Sequence, residues 1–148
     1  HQPARRTQLQ CAHHHQLPGR LGHRRRPPTP AARIMTIILV FAGGILGGIT
    51  RYLLGKALPP YLGTLIANMC ACLTLGIIAR LFEAHSFAYA AGGIGFAGAL
   101  STWSTLANEL GHLLKTHNYR LFAGYLTATI IGGLAALQLG LTIGTMMT

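Results

Sequence analysis

From Met35 onward, long apolar runs alternate with short polar breaks, whereas the chain before it is Arg, His, Pro and Gln with almost no apolar periodicity. The breaks recur at close to the ~20 residues that a membrane-spanning helix needs. This spacing predicts four hydrophobic helices, over residues 35–54, 61–82, 86–114 and 121–145. Arg51 and Tyr52 close the first, with amphipathic side chains able to reach lipid headgroups. Pro59 and Pro60 make the next turn, because proline in a first helical turn forfeits no hydrogen bond. Arg80 and Glu83 mark the end of the second segment. The third is long and carries Gly92, Gly93, Gly95 and Gly98 ahead of Ser101 and Thr102, a composition at which a helix breaks. The fourth holds no charge at all. The fold class expected is therefore an all-α membrane protein of four transmembrane helices, the third broken near its centre.

Composition agrees, since 51% of the residues are hydrophobic and only 9% charged, which excludes a disordered chain as a whole. A net charge of +10 would point to nucleic acid, but of the twelve basic residues seven arginines lie upstream of Met35. The remaining Arg51, Lys56, Arg80, Lys115 and Arg120 are too dispersed to form such a surface, and no nucleic-acid partner is expected. Residues 1–34 are expected to be a disordered basic segment, separate from a four-helix transmembrane domain over residues 35–148. Three readings of that segment compete: an arm on anionic lipid, a metal site at His13, His14 and His15, or translation from upstream of a start at Met35, which is preferred. It lacks the apolar core of a signal peptide.

The acids are scarcer than the bases. Glu83 and Glu109 are the only two, which excludes paired-carboxylate catalysis, and no enzymatic site is expected. Cys11, Cys70 and Cys72 contain no C-x-x-C pair and support neither a disulfide framework nor zinc. Gly93 to Gly98 fits G-x-G-x-x-G but lies inside an apolar span with no preceding strand, so a dinucleotide site is rejected. Small residues four apart, Gly43 with Gly47, Gly44 with Gly48 and Gly140 with Gly144, imply close helix packing. Four short helices enclose little space, so a solute path would lie between subunits of an oligomer.

Polar groups inside apolar spans carry the chemistry, because each needs a partner or water there. These are Asn68 in the second segment and Ser101, Thr102, Ser104 and Thr105 in the third. A hydroxyl can simply bond back to its own helix, but four within five residues at a break point toward an ion path. Freed carbonyls there suit cations, while freed N–H groups and hydroxyls suit anions. Phe96, Trp103 and Tyr125 can be packing or interface anchors; an aromatic ring edge is electropositive and can also face an anion.

The run from Gly43 to Tyr52 (GGILGGITRY), Gly63 to Asn68 (GTLIAN) and Gly95 to Thr105 (GFAGALSTWST) resembles, in order and spacing, the first three helices of the fluoride channels of the Fluc (CrcB) family. Tyr125, Thr129 and Gly133 fit its fourth helix, and the resemblance covers essentially residues 35–147. What it implies is a multi-pass plasma-membrane protein working as an antiparallel, dual-topology dimer with two fluoride pores. It also implies a structural sodium ion on backbone carbonyls, here those of Gly98 and Ser101. Asn68 would bond fluoride or position a ring, and Ser104, Thr105, Tyr125 and Thr129 would line a polar track. Arg51 would lie in an aqueous vestibule and Glu109 near a pore mouth. Fluoride would leave passively after ionising inside the cell. The family has phenylalanine at the positions of Trp103 and Leu106; the first keeps a ring and the second loses it.

Two further readings follow from these residues. Leu106 fits a partner subunit that completes another chain's pore in a heterodimer. So does charge: counted from Met35, Arg51, Lys56, Lys115 and Arg120 share one side of the membrane against Arg80 alone, which favours one orientation. A small four-helix drug exporter would need a membrane-embedded carboxylate, and the first helix has none.

Overall fold

Thr29 opens the first helix, its Oγ1 accepting from the Ala32 N–H at 3.3 Å while Pro30 occupies the first turn. In the computed structural model, which describes residues 29–148, α1 therefore runs Pro30–Ala57. This corrects the expected start at Met35: residues 30–34 are helical, because a cap, a well-placed proline and two alanines nucleate the helix upstream. The readings of His13 to His15 and of Cys11 lie outside the described residues. After Pro59 and Pro60, Tyr61 takes a left-handed φ of 70° and α2 follows over Leu62–Leu81. Residues Tyr89–Ala97 wind as a π-helix that continues into a short α3, Gly98–Leu100. Ser101 (ψ 143°) and Thr102 (ψ 115°) are extended, and α4 covers Trp103–Lys115. A tight turn with His117 at φ 55° leads into α5, Tyr119–Met146.

All regular structure among the described residues is helical, and α1, α2 and α5 are each long and apolar enough to cross a membrane. Two pairings dominate the packing, α2 along α5 and α1 along the π-helical segment. Gly76 and Gly140 make the first possible: a Cβ on either would run into the other helix's backbone, at the carbonyls of Leu137 and Leu73. Gly43 and Gly47 do the same for the second, against the carbonyls of Ala91 and Phe96. Contact at this range suits lipid, where apolar surface alone does not drive helices together. The interior is accordingly lean, with Ala67, Ala71, Ala97 and Leu100 in one cluster, while Phe41, Ile131 and Leu134 point outward. On α4 the stripe Leu106, Leu110, Leu113 faces Leu65, Phe122 and Tyr125 and forms a second cluster.

Candidate functional site

The interruption at Ser101 and Thr102 is stitched to α2 by Asn68. Its Oδ1 accepts from the Thr102 N–H at 2.8 Å and from the Ser101 hydroxyl at 3.1 Å, and its Nδ2 faces the Thr102 carbonyl at 3.5 Å. Thr102 in turn caps α4, accepting from the Thr105 N–H at 3.3 Å, and its hydroxyl lies 3.1 Å from that of Thr105 and 3.4 Å from that of Ser104. Asn68 and Thr102 are buried, whereas Ser101, Ser104 and Thr105 face outward. The break thus presents opposite polarities. Leading into it, α3 offers carbonyls, and beyond it the first N–H groups of α4 have no partner within their helix.

One helical turn before Asn68 on α2, Thr64 donates to Glu109 Oε1 at 2.9 Å. Tyr125 of α5 donates to Glu109 Oε2 at 2.5 Å, and its ring meets Tyr61 edge-on with centroids 5.5 Å apart. Both oxygens of the one acid in α4 are therefore held by hydroxyl groups from two other helices. Thr129 spends its hydroxyl on its own helix, donating to the Tyr125 carbonyl at 2.8 Å.

Two surface depressions flank Glu109. One, of about 390 Å³, is lined by Arg51, Tyr52, Lys56, Thr64, Thr102 and Thr105, which puts two cations and four hydroxyl-bearing residues around one opening. The other, of about 410 Å³, has Tyr61, Asn108, Glu109, His112 and Lys115 on its walls.

Most residues singled out by sequence therefore converge on one end of the bundle: Arg51, Asn68, Ser101, Ser104, Thr105, Glu109 and Tyr125. Trp103 and Leu106 diverge, the former 77% exposed and the latter 2%, sealed among Leu65, Leu113 and Tyr125. Gly98 faces outward, with nothing within 4 Å of where a Cβ would stand. Thr64 was missed by sequence reasoning, although its spacing from Asn68 puts both on one face of α2.

Long apolar helices surrounding a buried polar seam, with most large apolar side chains directed outward, define a multi-pass protein of the cell membrane. The sequence profile of the CrcB-like family (CrcB-like protein, Camphor Resistance) matches residues 38–141, and the chain belongs to that family. It is 50% identical over 104 residues to the Fluoride-specific ion channel FluC 2 of Corynebacterium diphtheriae, spanning 70% of this chain and 96% of that protein. Against FluC 2 of Rhodococcus jostii the identity is 40% over 112 residues, 72% of this chain and 96% of the relative. FluC 1 of Streptococcus pneumoniae is 39% identical over 115 residues, 74% of this chain and the whole of the relative.

Proposed function

We propose that this chain is a subunit of a fluoride channel that lets the anion leave the cell passively through pores formed by an antiparallel dimer. The observation that carries the reading is the depression lined by Arg51 and Lys56 together with Thr64, Thr102 and Thr105. Cations draw anions to such an opening, and the Thr105 hydroxyl, which accepts from Thr102 and keeps its own proton, together with the first N–H groups of α4 can replace the water that a small anion sheds. The Glu109 carboxyl is bonded at both oxygens by Thr64 and Tyr125 and does not line the opening at Arg51 and Lys56. From there the amide of Asn68, the hydroxyls of Ser104 and Thr105 and the first N–H groups of α4 continue the track, and Tyr125 and Thr129 border it with their protons committed to Glu109 and to the Tyr125 carbonyl. The four crossings are α1, α2, α5 and a third made of two halves joined at Ser101 and Thr102. Trp103, exposed in the single chain, would turn its ring edge toward the partner's pore-lining groups.

The same break fits a sodium ion. In an unbroken helix the Gly98 carbonyl would accept from the Thr102 N–H and the Ser101 carbonyl from the Thr105 N–H. Both donors bond elsewhere, to Asn68 and to Thr102 Oγ1, and both residues face outward. Gly98 and Ser101 would hold the ion together with their counterparts in the second subunit, and the ion would tie the two breaks to each other.

Purified chain reconstituted into liposomes loaded with potassium fluoride is expected to release fluoride on addition of valinomycin and to retain chloride under the same conditions. Retention of both anions would remove the channel reading for this chain alone. Release only on co-reconstitution with a related subunit would favour the heterodimer, which the missing ring at Leu106 keeps in view.

A further inference from the structure

We infer that Asn68 and Thr102 form a latch that keeps the carbonyls of Gly98 and Ser101 free for a cation, so that a residue of the fluoride track also positions the cation site. The inference rests on the reading of those carbonyls as a sodium site and adds what holds them open. Two swaps make the latch. Asn68 Oδ1 takes the Thr102 N–H at 2.8 Å, away from the Gly98 carbonyl, and Thr102 Oγ1 takes the Thr105 N–H at 3.3 Å, away from the Ser101 carbonyl.

The amide of Asn68 behaves as a detached peptide group. It meets the N–H of Thr102 with its oxygen and the Thr102 carbonyl with its nitrogen, at 3.5 Å, so one side chain fixes both faces of a single backbone residue. The Ser101 hydroxyl, 3.1 Å from the same Oδ1, holds the preceding residue in register. Asn68 and Thr102 are 9% and 5% exposed, so neither amide nor hydroxyl has water to turn to as an alternative partner. Gly98 and Ser101 are both exposed residues three apart in sequence, and a Cβ built on Gly98 would meet open space. An acceptor released within a membrane needs a new partner, and two released together on one face suit a single cation. Without the latch, the ladder from α3 to α4 can close and consume both.

Thermal unfolding of the purified full-length chain in detergent, titrated with sodium chloride against N-methyl-D-glucamine chloride at constant ionic strength, tests this. The unsubstituted chain should gain stability with sodium and saturate, since a ligand bound only by the folded state raises Tm by mass action. Thr102→Val keeps the volume of the side chain and removes the hydroxyl acceptor, and should move the sodium midpoint up by roughly tenfold or more. Thr102→Ser should restore it, and Asn68→Ala should act like Thr102→Val. If Asn68→Ala does not fold, the two Thr102 variants carry the test. A sodium-independent Tm in the unsubstituted chain would overturn the sodium site and the latch with it. A sodium midpoint unmoved in Thr102→Val, whatever the fall in Tm, would overturn the latch alone.

Discussion

Glu109, half-buried on the wall of a depression at one end of the bundle, has both carboxyl oxygens held by hydroxyl groups: Thr64 and Tyr125 supply one bond each. Removing either leaves an oxygen short of a bond worth about 1–3 kcal/mol when the acceptor is charged. Thr64→Val, which preserves shape, should lower the Tm of the purified chain and slow fluoride efflux from liposomes. Tyr125→Phe should do the same, with a smaller packing change because the ring stays against Tyr61. Efflux at the unsubstituted rate in both variants would show that the Glu109 cluster serves stability alone. Sequence reveals part of this. An amide in an apolar run announces that partners are needed, and Asn68 stands out for that reason, whereas Glu109 was placed at a pore mouth only by the family resemblance. Which partners they find is hidden, because Thr64 and Glu109 are far apart in the chain and meet only through the packing of α4 against α2.

Between elements the decisive contacts belong to residues without side chains. Gly76 and Gly140 let the backbones of α2 and α5 touch, so a side chain there must push a carbonyl rather than a flexible neighbour. Gly140→Leu should cost about 1–3 kcal/mol or more through overpacking, read as loss of monodisperse protein on size-exclusion chromatography. Gly124, on the same helix with open space where a Cβ would stand, is the control. Gly124→Ala should leave the protein intact and stabilise α5 by about 0.5–1 kcal/mol through helix propensity alone. Equal behaviour of the two variants would contradict the packing described. The glycine pairs at positions 43 and 47 and at 140 and 144 were legible as packing surfaces from their spacing. Their targets were not, since spacing on one helix carries no information about which neighbour it meets. The π winding of residues 89–97 was equally hidden, because it adds a residue per turn without changing which residue types are apolar.

For the whole molecule, the distribution of charge between its two ends would govern how subunits of the proposed antiparallel dimer pair. Arg51 and Lys56 line a depression with Thr64 at the start of α2, and Lys115 lines the other with Tyr61 just before it, so these cations share one end, with Arg120 in the first turn of α5. At the opposite end Arg80 closes α2, its stem packed on Gly144 near the end of α5, and Arg33 sits in the first turn of α1 with Glu83 in the following loop. Arg33 joins that end because α1 begins at Pro30, so the contrast is smaller than a count from Met35 gives: four cations face two among the described residues, with one acid on the weaker side. Cations near helix ends favour the cytoplasm, so in a chain begun close to Thr29 four against two bias the end with Arg51 and Lys115 inward, whereas the six arginines upstream of Arg33, where present, reverse the sign; either way one orientation dominates and a minority of copies is inverted. An antiparallel pair needs both orientations, so self-pairing would be limited by the minority, and a related subunit with the reverse bias would relieve the limit. In cells expressing alone a chain begun just ahead of Thr29, with its native cysteines replaced, Ala57→Cys should label mainly after permeabilisation and Ala84→Cys mainly from outside, each with a measurable opposite fraction, and restoring the upstream arginines should exchange the two. Adding two lysines to the loop that holds Glu83 should bring the two sides toward equality and raise the yield of dimer. Equal labelling before that change would show that something other than end charge sets orientation, and strictly one-sided labelling would leave no inverted copies with which the chain could pair.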